Sequence, residues 1–458
     1  MKLTVIGGGG VRTPHLIPSL VRRAERLGLQ DLWLMDIDAP KLELIGGLCA
    51  ALVRQHGDPF RIHLTTDARE AIRDAAHIIT SIRPGFEQGR ATDERIAFAH
   101  GVLGQETTGA AGFAMAMRSL PAILDYCRLA SELAPGAWVY NFTNPAGLVA
   151  QGLHDAGIPR VVGICDSANG ALHAASRFLR VPESRVRHEV FGLNHLSWTR
   201  SVRIDAEPDG SGGEEVLPAL LSEPAFIRAT HLAMFDPDLV SRFGMFLNEY
   251  LHYFYHRDEA LAALLAKPET RGEETLRLTR ELLDALREVD AIRNPEAGLK
   301  VYRAIMARRS SSYMAHARGG APRPTMAAAD GDDEGYAGVA LGCVEAIATG
   351  TPRFTGLNVP NRGAISGMRD DDVVEVTCAV DADGPRPLPV GIVPDHMLTL
   401  MQSVKHYERL AARAILERSR GLAAEALMAH PLIGSYPLAK KLVAAFIDAH
   451  RDLVGEWD

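Results

Sequence analysis

A short apolar segment near the start of the chain ends in four consecutive glycines, and this arrangement limits the fold more than any other part of the sequence. Residues 3–6 are apolar or β-branched, and glycines 7–10 follow at once. Leu16, Leu20 and Val21 then have the spacing of one buried helix face. A strand that passes through a glycine turn into a helix is typical of a parallel sheet, and such a turn directs backbone N–H groups at a phosphate.

Strand-like and helical segments alternate after this turn. Strand-like segments end near residues 35, 65, 82, 141 and 164, and helical segments lie at 40–56 and 69–75. This alternation predicts a parallel sheet with right-handed crossovers. Beyond about residue 186 the pattern changes to strand-like segments at 188–191 and 198–204, then to helices, an irregular or mobile loop at 317–335, a strand near 373–380 and helices from residue 394.

The chain has 458 residues, which is longer than a single hydrophobic core usually extends. We therefore expect two associated domains in an α/β fold. Residues 1–190 are predicted to form a Rossmann-like, NAD-binding parallel sheet of the kind found in lactate and malate dehydrogenases. Residues 191–458 are predicted to form a mixed α+β domain for substrate, metal and oligomerisation.

Composition excludes several classes of partner. A formal net charge of -8 argues against a nucleic-acid partner, which normally requires a basic face. The five cysteines are odd in number and widely scattered, which does not fit a secreted disulfide framework and favours a reducing compartment. A predicted strand follows Met1 and Lys2 directly, and no apolar run approaches the roughly 20 residues of a spanning helix. We expect a cytoplasmic protein without a membrane partner.

The glycine turn and the end of the second strand together indicate a dinucleotide site. The third glycine position of the usual fingerprint holds Arg12, so the motif is incomplete. Asp36 follows the second strand, where a carboxylate binds a ribose diol and repels a 2′-phosphate, which favours NAD over NADP. The alternative is a tight turn followed by a surface aspartate. The predicted cofactor-binding residues are Gly7, Gly9, Gly10, Val11, Arg12 and Asp36.

Two further turns carry chemically active side chains. The segment NFTNPAG at 141–147 is similar to the Asn-Pro turn of lactate and malate dehydrogenases, which makes a plain hydroxy-acid dehydrogenase the rival hypothesis. Cys165 follows a predicted buried strand, and His195 lies in a predicted turn between strands. A thiolate and an imidazole can bind Mn²⁺, Fe²⁺, Co²⁺ or Zn²⁺, and two protein ligands leave positions open for substrate. The alternative is a buried small cysteine and a hydrogen-bonded histidine.

An ordered series of motifs resembles glycoside hydrolase family 4, nearest to its 6-phospho-glucosidase members. The series is IGGGGVRTP at the start, GQETTGAAGFAMAMRSLP at 104–121, GICDSANG at 163–170, GLNHLSW at 192–198, RGG near Arg318, LNVPNRGAI near Asn358 and VKHYERL near Glu408. It spans nearly the whole chain. The resemblance implies bound NAD, a divalent metal such as Mn²⁺ held by Cys165 and His195, and hydrolysis by transient oxidation at C3 of the sugar instead of by two carboxylates.

The resemblance also assigns roles to individual residues. It implies that a tyrosine in NEYLHYFYH removes the C2 proton, and motif position favours Tyr250 over Tyr253 and Tyr255. Without the resemblance, these aromatic side chains could simply pack a helix. It further implies that Glu106 raises the basicity of that tyrosine and that Asp166 protonates the leaving oxygen. Two more family positions, which contact the sugar, are occupied by Arg90 and Asn144.

The expected substrate is a phosphorylated sugar, and the expected activity is that of a 6-phospho-β-glucosidase. Aspartate after the metal cysteine is typical of members that cut α-linked phospho-glucosides, whereas the rest of the chain resembles the β-specific members. A 6-phospho-α-glucosidase and an α-galactosidase of the same family are therefore the alternatives, beside a plain dehydrogenase and a non-catalytic NAD-binding sensor. We expect a homodimer or homotetramer.

Overall fold

The computed structural model describes residues 1–205, 207, 212–321 and 335–458. Thirteen strands lie within these ranges: β1 Lys2–Ile6, β2 Asp31–Met35, β3 Arg61–Thr65, β4 His77–Thr80, β5 Trp138–Asn141, β6 Val161–Gly163, β7 Val186–Leu193, β8 Leu196–Ile204, β9 Glu214–Glu215, β10 Phe246–Leu247, β11 Arg353–Pro360, β12 Val373–Asp381 and β13 Gly384–Pro387.

The α-helices of the described residues pack on both faces of the main sheet and around its C-terminal strands. They are α1 Leu16–Leu27, α2 Ala39–Gln55, α3 Ala68–Ile72, α4 Phe86–Ala99, α5 Gly109–Leu133, α6 Ala146–Asp155, α7 Gly170–Leu179, α8 Leu217–Ser222, α9 Pro224–Ala229, α10 Pro237–Phe243, α11 His252–Tyr255, α12 Arg257–Leu265, α13 Arg271–Glu288, α14 Pro295–Ser311, α15 Gly335–Thr349, α16 Asp395–Glu417, α17 Arg420–Ala429, α18 Tyr436–Ala449 and α19 Arg451–Val454.

Six parallel strands form the first part of the main sheet, in the order β3-β2-β1-β4-β5-β6. This is the strand order of the doubly wound dinucleotide-binding fold. It confirms the predicted α/β class and the Rossmann-like sheet of the N-terminal part. Inner strands covered on both faces are apolar throughout, and Leu3, Val5 and Ile6 of β1 are fully buried, whereas Leu64 of the edge strand β3 is exposed. The carboxyl ends of all six strands consequently meet at one edge.

The main sheet does not end with the N-terminal part of the chain. Strands β11, β12 and β13 continue it in antiparallel orientation, with Asn358 paired to Gly163 at the outer edge of β6. The sequence predicted the strand near residues 373–380 but not its place in this sheet, because local patterns do not reveal which edge a distant strand covers. The sheet thus draws strands from both sides of residue 190, and the predicted division into two domains stays a prediction.

The second sheet is antiparallel and brings the other half of the site to this edge. Its order is β10-β8-β7, and β9 pairs with β8. Thr377 of β12 joins the two sheets, since its hydroxyl donates to the carbonyl of His188 and accepts from the N–H of Val190. The turn between β7 and β8, which holds residue 195, lies close to the end of β6.

Two further predictions concern the loop at 317–335 and the absence of a membrane-spanning helix. Part of the predicted loop at 317–335 lies outside the described residues, and its start belongs to a short 3-10 turn, Ala315–Arg318. Within the described ranges, no helix combines the length and the apolar character that crossing a bilayer would require.

Candidate functional site

The glycine turn after β1 is held against the ends of two neighbouring strands. The N–H groups of Gly7 and Gly8 both donate to the carbonyl of Met35 at 2.8 Å. Gly7 has a φ of +93°, and a Cβ there would lie 2.2 Å from the carbonyl oxygen of Ser81. A side chain at this position would clash with β4, so glycine is required for the close approach.

Asp36 and the same turn fix each other. The N–H of Gly9 donates to Oδ2 of Asp36 at 3.0 Å, and the N–H of Asp38 donates to Oδ1 at 3.2 Å. A Cβ on Gly9 would lie 2.9 Å from Oδ2. The structure therefore brings the predicted acid and the predicted glycines together, with the acid at the carboxyl end of β2.

The remaining predicted cofactor residues continue from this turn into α1. The N–H of Gly10 donates to the carbonyl of Gly7 at 2.9 Å. Val11 is buried, and its carbonyl accepts a hydrogen bond from the hydroxyl of Tyr302 at 2.8 Å. Arg12 is exposed and precedes the short 3-10 turn that leads into α1.

Three guanidiniums gather near this turn. Burial, together with the positive charges of Arg12 and Arg83, lowers the pKa of Arg309 to about 9. The carboxylate of Glu87 acts in the opposite direction. Guanidiniums that repel each other in a partly buried place favour an anion, because it relieves the repulsion and accepts their hydrogen bonds.

Cys165 and His195 meet at the carboxyl end of β6, as the metal-pair interpretation requires. Cys165 lies two residues beyond β6, and His195 occupies the turn between β7 and β8 with a φ of +62°. Their Sγ and Nε2 atoms are 3.2 Å apart. His195 is 4% exposed. A sequence separation of 30 residues is closed here to contact distance.

The ring of His195 is oriented by a residue that the sequence analysis did not single out. Thr107 Oγ lies 2.6 Å from Nδ1 of His195 and donates its own proton to Oε1 of Gln105 at 2.7 Å. The threonine oxygen therefore accepts from Nδ1–H, which leaves Nε2 without a proton and facing the thiol. The sequence analysis singled out only Glu106 of the QET segment. The structure shows that its two neighbours, Gln105 and Thr107, fix the tautomer of His195.

The donor pair fits a catalytic metal ion. A thiol sulfur and an imidazole nitrogen without a proton, 3.2 Å apart, are donor types that divalent transition metals bind. No group of three or more His, Cys, Asp or Glu side chains that could hold an ion occurs among the described residues. Two protein ligands are therefore available, and the other positions would be open.

Protonation of the pair is set by burial. Burial lowers the pKa of His195 to about 4, so the imidazole is neutral at neutral pH, as a ligand must be. Burial and the nearby carboxylate of Glu375 raise the pKa of the Cys165 thiol. The thiol consequently keeps its proton until a cation displaces it.

Tyr250 lies directly on the histidine ring. The ring centroids of Tyr250 and His195 are 3.6 Å apart, and the planes differ by 5°. Burial raises the pKa of Tyr250 well above that of a free tyrosine, and a hydrogen bond with Tyr313 acts against this rise. The other two tyrosines of the segment point elsewhere: the hydroxyl of Tyr253 donates to Sδ of Met314 at 3.1 Å, and the ring of Tyr255 packs against Phe243.

Glu106 and Arg90 form a buried ion-pair network beside Tyr250. Glu106 Oε2 lies 2.6 Å from Nη1 of Arg83 and 2.9 Å from Nη1 of Arg90. Burial alone would raise the pKa of Glu106, but these guanidiniums hold it below its ordinary value. Arg90 also donates to Glu94 at 2.7 Å. Although burial opposes it, Glu106 and Glu94 raise the pKa of Arg90, and a tyrosinate at position 250 would add to the effect.

Asp166 and Asn144 lie at the margin of the site formed by Cys165, His195 and Tyr250. Asp166 is half-buried next to Cys165, within electrostatic range of the thiol. Asn144 is half-buried and precedes Pro145 through a cis peptide bond. Pro145 lines a cavity of about 20 Å³ together with His195 and Thr107. The NFTNP turn therefore faces the segment that carries the predicted ligand.

Glu375 is the most conspicuous residue that the sequence analysis missed. It lies in the middle of β12, is fully buried and accepts hydrogen bonds from Asn194, Ser197 and Asn358. Burial raises its pKa to about 7, although these three bonds oppose the shift. The available signal was a single acid inside the apolar run VVEVTCAV.

Comparison with known proteins agrees with this geometry over almost the whole chain. Residues 2–181 match the model for family 4 glycosyl hydrolases, and residues 190–433 match the model for the C-terminal domain of that family. A probable 6-phospho-beta-glucosidase of Bacillus subtilis (strain 168) is 31% identical over 460 residues, which cover 98% of this chain and 96% of the relative.

Two solved structures superpose on the chain with 26% identity each. The 6-phospho-beta glucosidase from Thermotoga maritima, determined with manganese, NAD+ and glucose-6-phosphate, has a TM-score of 0.82, and 99% of each chain is covered. A 6-phospho-alpha-glucosidase from gut microorganisms, in complex with NAD and Mn2+, has a TM-score of 0.80 and covers 100% of this chain and 99% of its own. The two family models together span more than half of the sequence, and the chain belongs to glycosyl hydrolase family 4.

Proposed function

We propose that this protein is a 6-phospho-β-glucosidase that requires NAD and a divalent cation such as Mn²⁺. The observation that carries the proposal is the 3.2 Å approach of Cys165 Sγ to His195 Nε2 beneath the stacked ring of Tyr250. Relatives named 6-phospho-beta-glucosidase, and a similar structure with manganese, NAD+ and glucose-6-phosphate, support it. The reaction would be hydrolysis through a 3-keto sugar, with elimination, addition of water and re-reduction.

The cofactor would lie across the carboxyl ends of β1 and β2. Gly7, Gly9 and Gly10 leave the space that a pyrophosphate needs, because a Cβ on Gly7 or Gly9 would fill it. Val11 and Arg12 continue the turn toward α1, and the guanidinium of Arg12 would neutralise phosphate charge. The carboxylate of Asp36 would accept from the ribose hydroxyls, which supports NAD over NADP.

The cation would be held by Cys165 and His195. When bound, NAD⁺ takes up a hydride from C3 and returns it, and the cation polarises the sugar oxygens as a Lewis acid. Thr107 keeps Nε2 of His195 free to donate its lone pair. The buried surroundings exclude water from the oxidised sugar.

Two side chains would move protons around the sugar, and Glu106 would support the tyrosine in doing so. We propose that the hydroxyl oxygen of Tyr250 takes the C2 proton, which is acidic only while C3 is a ketone. Its pKa is raised by burial, so a positive charge beside His195 is needed before it can act as a base near neutral pH. Glu106 holds Arg83 and Arg90 in place near that oxygen, and Asp166 would protonate the leaving oxygen.

The substrate would be held by Arg90 and Asn144, and its phosphate would be drawn to a positively charged place. Arg12 and Arg83 both lie within electrostatic range of Arg309 and lower its pKa, and this concentration of positive charge supports an anionic ligand. An aspartate after the metal cysteine favours the second candidate, a 6-phospho-α-glucosidase, and a relative of that type has a TM-score of 0.80.

Two predictions about the protein as a whole remain proposals. Five unpaired cysteines, four of them buried, support a reducing compartment such as the cytoplasm. A homodimer or homotetramer is proposed from the resemblance, and size-exclusion chromatography with light scattering would test it.

The proposed activity is tested with nitrophenyl 6-phospho-β-glucoside, NAD⁺ and Mn²⁺. A redox glycosidase releases nitrophenol without accumulating NADH in proportion. A plain dehydrogenase accumulates NADH with product, and an NAD-binding sensor does neither. The α-anomer in a parallel reaction decides between the two candidate specificities, because the enzyme should prefer one of them.

A further inference from the structure

Glu375 lies behind the cysteine–histidine pair and is connected to both segments that carry it. Its Oε1 accepts from Nδ2 of Asn194 at 3.1 Å, and its Oε2 accepts from the hydroxyl of Ser197 at 2.8 Å. Asn194 directly precedes His195 in the β7–β8 turn, and Ser197 follows His195 by two positions, in β8. The carboxylate thus holds the turn from both sides of the histidine.

The same carboxylate is tied to the end of β6. Nδ2 of Asn358 donates to Oε1 of Glu375 at 3.2 Å and to the carbonyl of Gly163 at 3.4 Å. Gly163 is the last residue of β6, two positions before Cys165. Asn358 also pairs in register with Gly163 on one side and with Glu375 on the other. The side chain of Glu375 in β12 is therefore connected directly to the turn that carries His195 and, through Asn358, to the end of β6, which precedes Cys165.

The turn needs such support. His195 has a φ of +62°, a conformation that residues other than glycine adopt at a cost. Asn194 additionally accepts from the N–H of Gly147 at 3.3 Å, and Ser197 accepts from Nδ2 of Asn248 at 3.0 Å. Each contact depends on where Glu375 holds the two side chains. Burying a carboxylate is expensive, and three donors on one group compensate for that cost only if they are all kept in place.

We infer that Glu375 is a positioning residue for the cation site: its hydrogen bonds to the β7–β8 turn and, through Asn358, to the end of β6 fix the separation of Cys165 and His195. The inference rests on the proposed function, since it concerns the cation site. It adds a group that touches neither sugar nor cofactor and acts through the two ligands.

The test compares Glu375→Gln with Thr377→Val. Thr377 lies two positions along β12, is buried, and bonds to β7 without contacting the His195 turn. Mn²⁺ affinity is measured on the full-length protein by electron paramagnetic resonance of the free ion, and Co²⁺ is used as a spectroscopic probe of the thiolate bond. Loss of an outer partner of a metal ligand typically weakens affinity about 10–100-fold. We expect that loss, and a shifted thiolate-to-Co²⁺ band, in Glu375→Gln alone.

The outcomes separate the inference from the function on which it rests. If the wild type binds Mn²⁺ and Glu375→Gln binds it equally well, the inference is overturned and the proposed function stands. If Thr377→Val loses Mn²⁺ affinity to the same degree, the effect is general destabilisation and the inference is also overturned. A wild type that does not bind Mn²⁺ overturns both. Should Glu375→Gln fail to fold, Ser197→Ala and Asn194→Ala each remove one donor to Glu375; weakened Mn²⁺ binding in both folded variants supports the inference, and unchanged binding in both overturns it.

Discussion

The glycine turn and the cysteine–histidine pair lie at the same edge of the sheet but are built differently. The turn is made of backbone groups, and the carboxylate that accepts from its Gly9 N–H belongs to Asp36, only 27 residues away. The pair consists of side chains: the ring of His195 is held by Thr107, 88 positions away, and the turn that carries it is held by Glu375. A site made of backbone groups restricts the sequence because a side chain there would block it. A site made of side chains depends on partner residues that are distant in the sequence.

This difference predicts that the two sites can be broken separately, most strongly at the metal pair. Cys165→Ser and His195→Ala should each abolish turnover, because two protein ligands leave none in reserve. NAD⁺ affinity should stay unchanged, since the turn shares no side chain with the pair. Turnover by the chromogenic assay and NAD⁺ binding by calorimetry measure the two effects. Cys127→Ala, at a buried cysteine outside the pair, is the control and should remain active.

Activity near that of the wild type in either ligand variant, in chelator-treated buffer, would show that the pair holds no catalytic cation. A parallel loss of NAD⁺ binding would contradict the separation of the two sites.

The next largest effect is expected from replacing Tyr250, whose ring stacks on the ring of His195. Tyr250→Phe keeps the ring on His195 but removes the oxygen, so turnover should fall about 10²–10⁴-fold, the usual contribution of a general base. Product formed in D₂O by the wild type should carry deuterium at C2. Tyr253→Phe is the matched control, because it removes a hydroxyl of the same segment that donates to a methionine sulfur at 3.1 Å.

NMR of the product and a single-turnover measurement of NADH absorbance check this prediction together. Tyr250→Phe should still transfer a hydride to bound NAD⁺, because the missing oxygen acts after that step. Full retention of the C2 proton by the wild type, together with no isotope effect from C2-deuterated substrate, would exclude the elimination.

At the glycine turn the expected effect is smaller and concerns binding. Asp36→Asn keeps an oxygen that accepts from Gly9 N–H but loses the charge, and a hydrogen bond to a charged group contributes about 1.5–3 kcal/mol. NAD⁺ affinity should therefore fall about 10–100-fold, and discrimination against NADP⁺ should shrink. Asp38→Asn is the control, since Asp38 caps α2 by accepting from Lys41 N–H at 3.1 Å. Calorimetric titration that finds both variants alike would remove Asp36 from the cofactor site.

The contrast also explains how far the sequence could be interpreted. The six parallel strands, the glycine turn and Asp36 follow from local patterns, because period and turn chemistry act over a few residues. Cys165 and His195 stand out by type and by their places after a strand and in a turn. Thr107 and Glu375 do not stand out in this way. The role of Glu375 depends on the pairing of β11 with β6, and the role of Thr107 depends on the QET segment, which precedes α5, lying at the His195 ring. Long-range pairing of this kind leaves no mark in a local pattern.

The smallest predicted effect is a pH-dependent stability that arises at the side-chain site and has no counterpart at the turn. Burial raises the pKa of Glu375 from 4.5 to about 7. Between these values the folded protein holds a proton that the unfolded chain has released. Its contribution to stability is therefore complete below the unfolded pKa, decreases as pH rises, and is lost above about 7.

The slope that follows is at most about 1.4 kcal/mol per pH unit, the value for one proton, in metal-free protein. Glu375→Gln carries no such proton, so its free energy of unfolding should depend less steeply on pH between about 5 and 7. Urea unfolding of both proteins across this range measures the difference, and groups that titrate equally in both, such as surface histidines, cancel. Thr377→Val should follow the wild-type slope at lower stability. Parallel curves for wild type and Glu375→Gln would mean that the buried carboxyl of Glu375 is ionised throughout this pH range. Its three hydrogen-bond donors would then have to offset the full cost of burying the charge.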